Sequence, residues 1–233
     1  MIPLDLRRSL QEAAWPGLHI YTRFAGLQRY LELLDEYVPL MQNQALIRWQ
    51  AEAARQAPPS NHAEWQELVS DLEVRLRHDI SNNFLSAYLI PLSAALESSL
   101  DDLCEYVQVR EALSIKAMDL REQTIVKRSM QYLGLAMRQP VQVPDSVRTA
   151  LRDLQVVRNA FAHSNGRLEE QQPQRKHELE ALASSNRGVT IWDGHLLVQP
   201  SFLSRSTEAA EELVSCLMEA VSRAYKVPEG SAP

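Results

Sequence analysis

The sequence predicts an all-α protein. Its 233 residues include only 7 glycines and 6% aromatic residues, whereas an all-β sandwich needs many turns. Alanine, leucine, glutamate, glutamine and arginine dominate long stretches, and these residues favour helix. Apolar side chains recur at three- and four-residue spacings, the period of helices that bury one face. A hydrophobic content of 45% and a charged content of 23% are typical of a soluble globular protein.

Two helices are predicted in the N-terminal third of the chain. Residues 22–57 have apolar side chains at helical spacing, and Pro39 is expected to split or kink this helix. The breaker APPSN follows, and its last residue, Asn61, can cap a second amphipathic helix that reaches Leu76. We therefore expect residues 1–76 to form an N-terminal helical extension.

The central part of the chain predicts two further helices. In residues 80–111 apolar side chains recur at intervals of mostly four, so their stripe drifts slowly around a helix and can line a central core. Pro91 lies inside this stretch and predicts a kink or a break. Residues 120–137 predict the next helix, which ends before a short extended linker, VQVP.

A helix with a clear end follows that linker. Asp145 can cap its first turn, and Ser164, Asn165 and Gly166 form a C-terminal stop. Between these ends the apolar residues keep helical spacing, so one face is expected to be buried.

The C-terminal part combines a hairpin with a last helix. Residues 167–187 are polar and predict a loop or a charged helix. In VTIWDGHLLV, Asp193 and Gly194 lie between two apolar runs, which is a strong signal for a tight β-hairpin turn. The last helix is predicted from Thr207 to Tyr225, and residues 227–233 are expected to be a disordered tail.

Composition favours a cytoplasmic protein. The N-terminus has charges but no apolar run of the kind found in secretory signals. The longest uncharged stretch, residues 80–96, is too short and too polar to span a membrane. Cys104 and Cys216 are therefore expected to be reduced thiols.

The net charge of −6 is unevenly distributed along the chain. Residues 107–176 have 12 basic against 7 acidic side chains, whereas the segments on either side are acidic. Metal-ligand spacings and glycine-rich phosphate loops are missing from the sequence, so we expect neither a metal site nor a bound cofactor.

Three polar residues crowd the end of the apolar helix that follows Asp145. Asn159 and His163 are four residues apart and share a face, whereas Arg158 and His163 are about 140° apart around the axis. An arginine is long enough for the two head groups to converge. The alternative is a solvated surface arginine and a histidine that caps the helix C-terminus.

The sequence RNAFAHSNG around these residues resembles the Arg-polar-x-x-x-His signature of HEPN domains. The earlier segment FLSAYLIPLSAALESSLDDLCEYV is similar to the first core helix of such proteins, and the similarity covers roughly residues 78–225. The resemblance implies an HEPN-like helical bundle over residues 77–226, with a small β-hairpin near the C-terminus.

The resemblance also implies a function. HEPN nucleases cut RNA without metal, using the ribose 2′-hydroxyl as nucleophile, and they typically form homodimers that bring two motifs into one cleft. The implied catalytic residues are Arg158, which binds the phosphate, His163, which transfers protons, and Asn159, which orients either partner. The implied role is that of a toxin or phage-defence effector, with a cognate antitoxin or defence-system protein as partner.

Other readings of the same residues stay open. The alternative is a non-catalytic HEPN module that binds a nucleotide, RNA or a protein partner. A third possibility is a helical scaffold whose acidic N-terminal helices dock a partner. Glu97 is either a surface carboxylate or a partner of Arg158. Four basic residues are either solvated loop charges or contacts to an RNA backbone: Arg152, Arg167, Arg175 and Lys176.

Overall fold

The structure, a computed structural model, describes residues 15–56, 62–122 and 124–225. These residues form six α-helices and one two-stranded antiparallel hairpin, which confirms the all-α prediction. The breaker at 57–61 and the tail at 227–233 lie outside them. The elements are α1 (Gly17–Gln56), α2 (His62–Arg110), α3 (Ile125–Met137), α4 (Asp145–Ser164), α5 (Pro173–Ser184), β1 (Val189–Trp192), β2 (His195–Val198) and α6 (Pro200–Tyr225).

Neither internal proline breaks its helix. Helix α1 continues through Pro39, and α2 continues through Pro91. A proline removes the hydrogen bond to the carbonyl four residues earlier, which belongs here to Asp35 and to Ala87. Both of those residues are exposed, so water can take the place of the missing donor. Of the two expected outcomes, the break is therefore wrong at both positions, and the kink stays a prediction.

Two compact units can be distinguished within the described residues. Unit A contains 28–56, 62–90 and 153–205, and unit B contains 15–27, 91–122, 124–152 and 206–225. Helix α2 runs without interruption through Leu76, and the division into an extension and a bundle at that residue stays a prediction.

In unit A, α1 and α2 lie antiparallel. The side-chain amide of Gln42 donates to the carbonyl of Arg77 at 2.8 Å, and the rings of Tyr30 and Tyr88 are 5.5 Å apart. The buried apolar residues of this unit come from α1, α2, α4, α5, the hairpin and the start of α6, and include Leu34, Val38, Leu85, Leu89, Leu154, Val157, Leu179, Leu196 and Phe202.

In unit B, an ion pair and an aromatic cluster join distant parts of the chain. Arg23 and Asp102 form an ion pair at 2.6 Å, and the ring of Tyr106 meets those of Trp15 and Tyr225 edge-on. Both cysteines are free thiols, as expected, and burial raises the pKa of Cys104 to about 12.

Three helices begin at other residues than predicted. Helix α3 begins at Ile125, because the hydroxyl of Thr124 accepts the amide of Lys127 and caps the first turn. Asp145 is the first residue of α4 rather than its cap, and its carboxylate suits the positive end of the helix. Helix α6 begins at Pro200, seven residues earlier than expected.

Candidate functional site

The motif lies in the last two turns of α4, within unit A. Val157, Ala160 and Ser164 follow one another at spacings of three and four and are all buried. This stripe fixes the rotation of the helix, because one face must stay in the core. Arg158 and Asn159 lie beside the stripe and are half-buried, whereas His163 is exposed in the last turn. Arg158 is thus less exposed than the alternative of a solvated surface arginine expects, whereas the exposed position of His163 in the last turn is compatible with a C-terminal cap.

Arg158 is held by its neighbour in the sequence. Its Nη1 donates to Oδ1 of Asn159 at 3.1 Å. Its Nε is shielded from solvent and has no hydrogen-bond partner among the described residues. A guanidinium has five N–H donors, so most of its capacity is left for another acceptor. Asn159 is therefore placed to orient Arg158, and its role in a site stays a prediction.

The end of α4 is formed by two residues in the left-handed region. Asn165 has φ 49° and Gly166 has φ 76°, and their amides donate to the carbonyls of Phe161 and Ala160. The hydroxyl of Ser164 donates to the carbonyl of Ala160 at 2.8 Å. The predicted stop at Ser164, Asn165 and Gly166 is confirmed.

The segment after the stop pairs with the hairpin. The amide of Leu196 donates to the carbonyl of Gly166 at 2.8 Å, and the amide of Leu168 donates to the carbonyl of Gly194 at 3.0 Å. Arg167 faces His195 in an antiparallel bridge. The hairpin itself has the predicted turn, since Asp193 and Gly194 both have positive φ. The end of the motif helix is therefore tied to β2, which the sequence did not predict.

Gly166 is close to Phe161, and this contact gives a first prediction. A Cβ at Gly166 would lie 2.8 Å from Cε1 of Phe161, in a backbone with φ 76°. We expect Gly166→Ala to destabilise the protein by about 2 kcal/mol or more, from strain and overpacking together. Gly194→Ala is the matched control, because Gly194 has φ 75° but no atom within 4 Å of the added Cβ.

Urea unfolding of both variants measures the difference. Gly194→Ala is expected to lose about 1 kcal/mol, the cost of a positive φ alone. Equal losses in the two variants would contradict the contact with Phe161.

Asp153 is a charged residue of α4 that sequence reasoning missed. Its carboxylate is only 6% exposed and meets Nη1 of Arg187 at 2.7 Å and Nη2 of Arg205 at 3.5 Å. Burial lowers the pKa of Arg205, and the charge of Asp153 opposes that change. A signal existed in the sequence, since Asp153 is four residues before Val157 in the buried stripe, where a carboxylate needs a partner.

The acidic and basic residues considered beside the motif lie mostly at the surface, and no side-chain hydrogen bond or ion pair between them and the motif is found among the described residues. Glu97 is exposed, as expected for a surface carboxylate. Arg152 and Lys176 are exposed and Arg175 is half-buried. Arg167 forms an exposed ion pair with Glu170 at 3.0 Å.

Within the described residues, no group of three or more His, Cys, Asp or Glu side chains could hold a metal ion. Among the described helices, none combines the length and the apolar character needed to cross a membrane. No family model, curated protein or solved structure matches the chain.

Proposed function

We propose that this protein is a metal-independent endoribonuclease of the HEPN type, with Arg158, Asn159 and His163 at a cleft between two copies of the chain. The observation that carries the proposal is the state of Arg158. Its guanidinium is half-buried, is hydrogen-bonded to Asn159 and retains unused donors, and an exposed histidine follows five residues later. An arginine held in this way suits an anionic ligand such as a phosphodiester.

In the proposed cleavage reaction, His163 and Arg158 have different roles. His163 accepts the proton of the ribose 2′-hydroxyl, whose oxygen attacks the adjacent phosphorus. Arg158 binds the non-bridging oxygens and stabilises the charge that grows on them. The bond to the 5′-oxygen breaks, and that oxygen leaves with a proton from a second acid. The products are a 2′,3′-cyclic phosphate and a 5′-hydroxyl.

A second copy of the chain would supply the missing acid. One histidine cannot hold the base and the acid positions of a single step at once. A homodimer that joins two motifs provides two histidines and two arginines for one phosphate. In this proposal the cellular role is that of a toxin or phage-defence effector, restrained by an antitoxin or a defence-system protein.

The test is cleavage of total RNA by purified wild-type protein in excess EDTA. We expect fragments with 2′,3′-cyclic phosphate and 5′-hydroxyl ends, because the proposed nucleophile is the neighbouring 2′-hydroxyl. An oligonucleotide taken from a cleaved sequence and synthesised with 2′-O-methyl groups is the control and should stay intact. Fragments with 5′-phosphate ends, or cleavage that needs added Mg²⁺, would contradict the proposal.

The net charge of −6 favours a second candidate. In a non-catalytic HEPN module, Arg158 and His163 bind a nucleotide, RNA or a protein partner without turnover. A nucleotide that binds only the native state raises the melting temperature. Such a shift in wild type, lost in Arg158→Ala and unaccompanied by any RNA cleavage, would favour this candidate over the nuclease.

A further inference from the structure

Asn82 of α2 forms two hydrogen bonds to the main chain of β2. Its Nδ2 donates to the carbonyl of Leu196 at 3.1 Å, and its Oδ1 accepts the amide of Val198 at 3.2 Å. A side-chain amide that accepts and donates in this way takes the place of a neighbouring strand. All three residues belong to unit A.

The same edge of β2 carries the segment that follows the motif helix. Leu196 gives its amide to Gly166 and receives the amide of Asn82 at its carbonyl. Leu168 completes the row by donating to Gly194. One edge of β2 is thus shared by the segment after α4 and by Asn82, which is 114 positions from Leu196 along the chain.

Two neighbours of Asn82 on α2 hold the tip of the same hairpin. Arg75 forms an ion pair with Asp193 at 2.5 Å and lies over the ring of Trp192. The ring of His78 is 4.8 Å from that of Trp192. These side-chain contacts hold the turn, whereas Asn82 holds the main chain of β2.

We propose that Asn82 is a positioning residue for His163 and acts through Leu196 and Gly166. The amide of Gly166 donates to the carbonyl of Ala160, so a fixed Gly166 fixes the last turn of α4, which contains His163. The importance of this position for catalysis rests on the proposed function; the coupling itself does not.

Asparagine is suited to this role because it has both a donor and an acceptor. Leucine at residue 82 has a similar volume and neither group, so it leaves the Leu196 carbonyl and the Val198 amide unpaired. Aspartate keeps the acceptor and loses the donor. Asn83 provides a matched control, since it is the next residue along α2 and is exposed.

The experiment compares Asn82→Leu and Asn83→Leu by NMR. Amide hydrogen exchange is measured at Leu168 and Leu196, with Val198 as the local comparison, and the ring resonances of His163 are followed with His177 as an internal reference. We expect Asn82→Leu to accelerate exchange at both amides by about tenfold and to shift or broaden the ring signals of His163. Asn83→Leu should leave all of these unchanged.

Exchange that accelerates at Val198 alone, with His163 unchanged, would overturn the proposal and reduce Asn82 to a local contact. Asn82→Asp is measured alongside, so that a folding failure of the leucine variant does not decide the result; we expect the same changes in smaller size. RNA cleavage is assayed separately. An inactive wild type would contradict the nuclease, whereas the NMR comparison tests the coupling in either case.

Discussion

His163→Ala is expected to slow metal-free RNA cleavage by roughly 10²–10⁴-fold, the usual contribution of a positioned general acid or base. The side chain is exposed in the last turn of α4, so its removal leaves the buried stripe of the helix intact. Single-turnover rates in EDTA measure the effect. Overproduction of the wild type is then expected to arrest growth, and overproduction of His163→Ala is not.

Variants at Arg158 and His177 show whether the loss of cleavage is specific to the proposed site. Arg158→Lys keeps the positive charge but loses the planar pair of donors that reaches Asn159. We therefore expect this variant to cleave RNA much more slowly than wild type. His177→Ala is the control, because His177 is also exposed and lies on α5. Equal cleavage by wild type and His163→Ala would remove His163 from the mechanism.

Asp153→Ala is expected to lower the free energy of unfolding by about 3 kcal/mol, since it leaves Arg187 and Arg205 facing a buried position without their carboxylate. The two arginine side chains are 31% and 32% exposed, so water offsets part of the cost. The corresponding fall in melting temperature is roughly 6–12 °C for a chain of this size.

Glu170→Ala is the comparison for Asp153. Its carboxylate pairs with Arg167 at the surface, where such a pair contributes about 0–1 kcal/mol. Urea unfolding separates the two variants. A loss for Asp153→Ala no greater than that for Glu170→Ala would show that the buried cluster does not stabilise the fold.

The fold could be predicted where the signal is local. The hairpin turn can be predicted because its two central residues need positive φ, which few residue types tolerate. Asp193 and Gly194 are such residues, and both have positive φ in the structure. Two helix starts were missed although each has a proline at its first residue, Pro173 and Pro200. Proline favours that position because the first amide of a helix needs no partner within the helix. Apolar residues do not recur clearly in the first turns of α5 and α6, so the helical spacing did not indicate these starts.

The residues proposed for the candidate site come from the sequence and stay a prediction, whereas the distant contacts around them could not be predicted from it. Arg158 and Asn159 are adjacent in the sequence, so their hydrogen bond depends only on the helix that contains both. Arg187 reaches Asp153, and Asn82 reaches Leu196, across 34 and 114 residues of chain. No periodic pattern encodes such a separation.

The sequence by itself determined the all-α class, the hairpin turn and the end of the motif helix, because each depends on the conformational preferences of consecutive residues. Only the tertiary structure decided that the segment after Gly166 pairs with β2, that Asp153 lies between two arginines and that Asn82 completes the strand edge. Buried polar groups must find partners, and the partners available are those that packing brings near, at whatever distance along the chain.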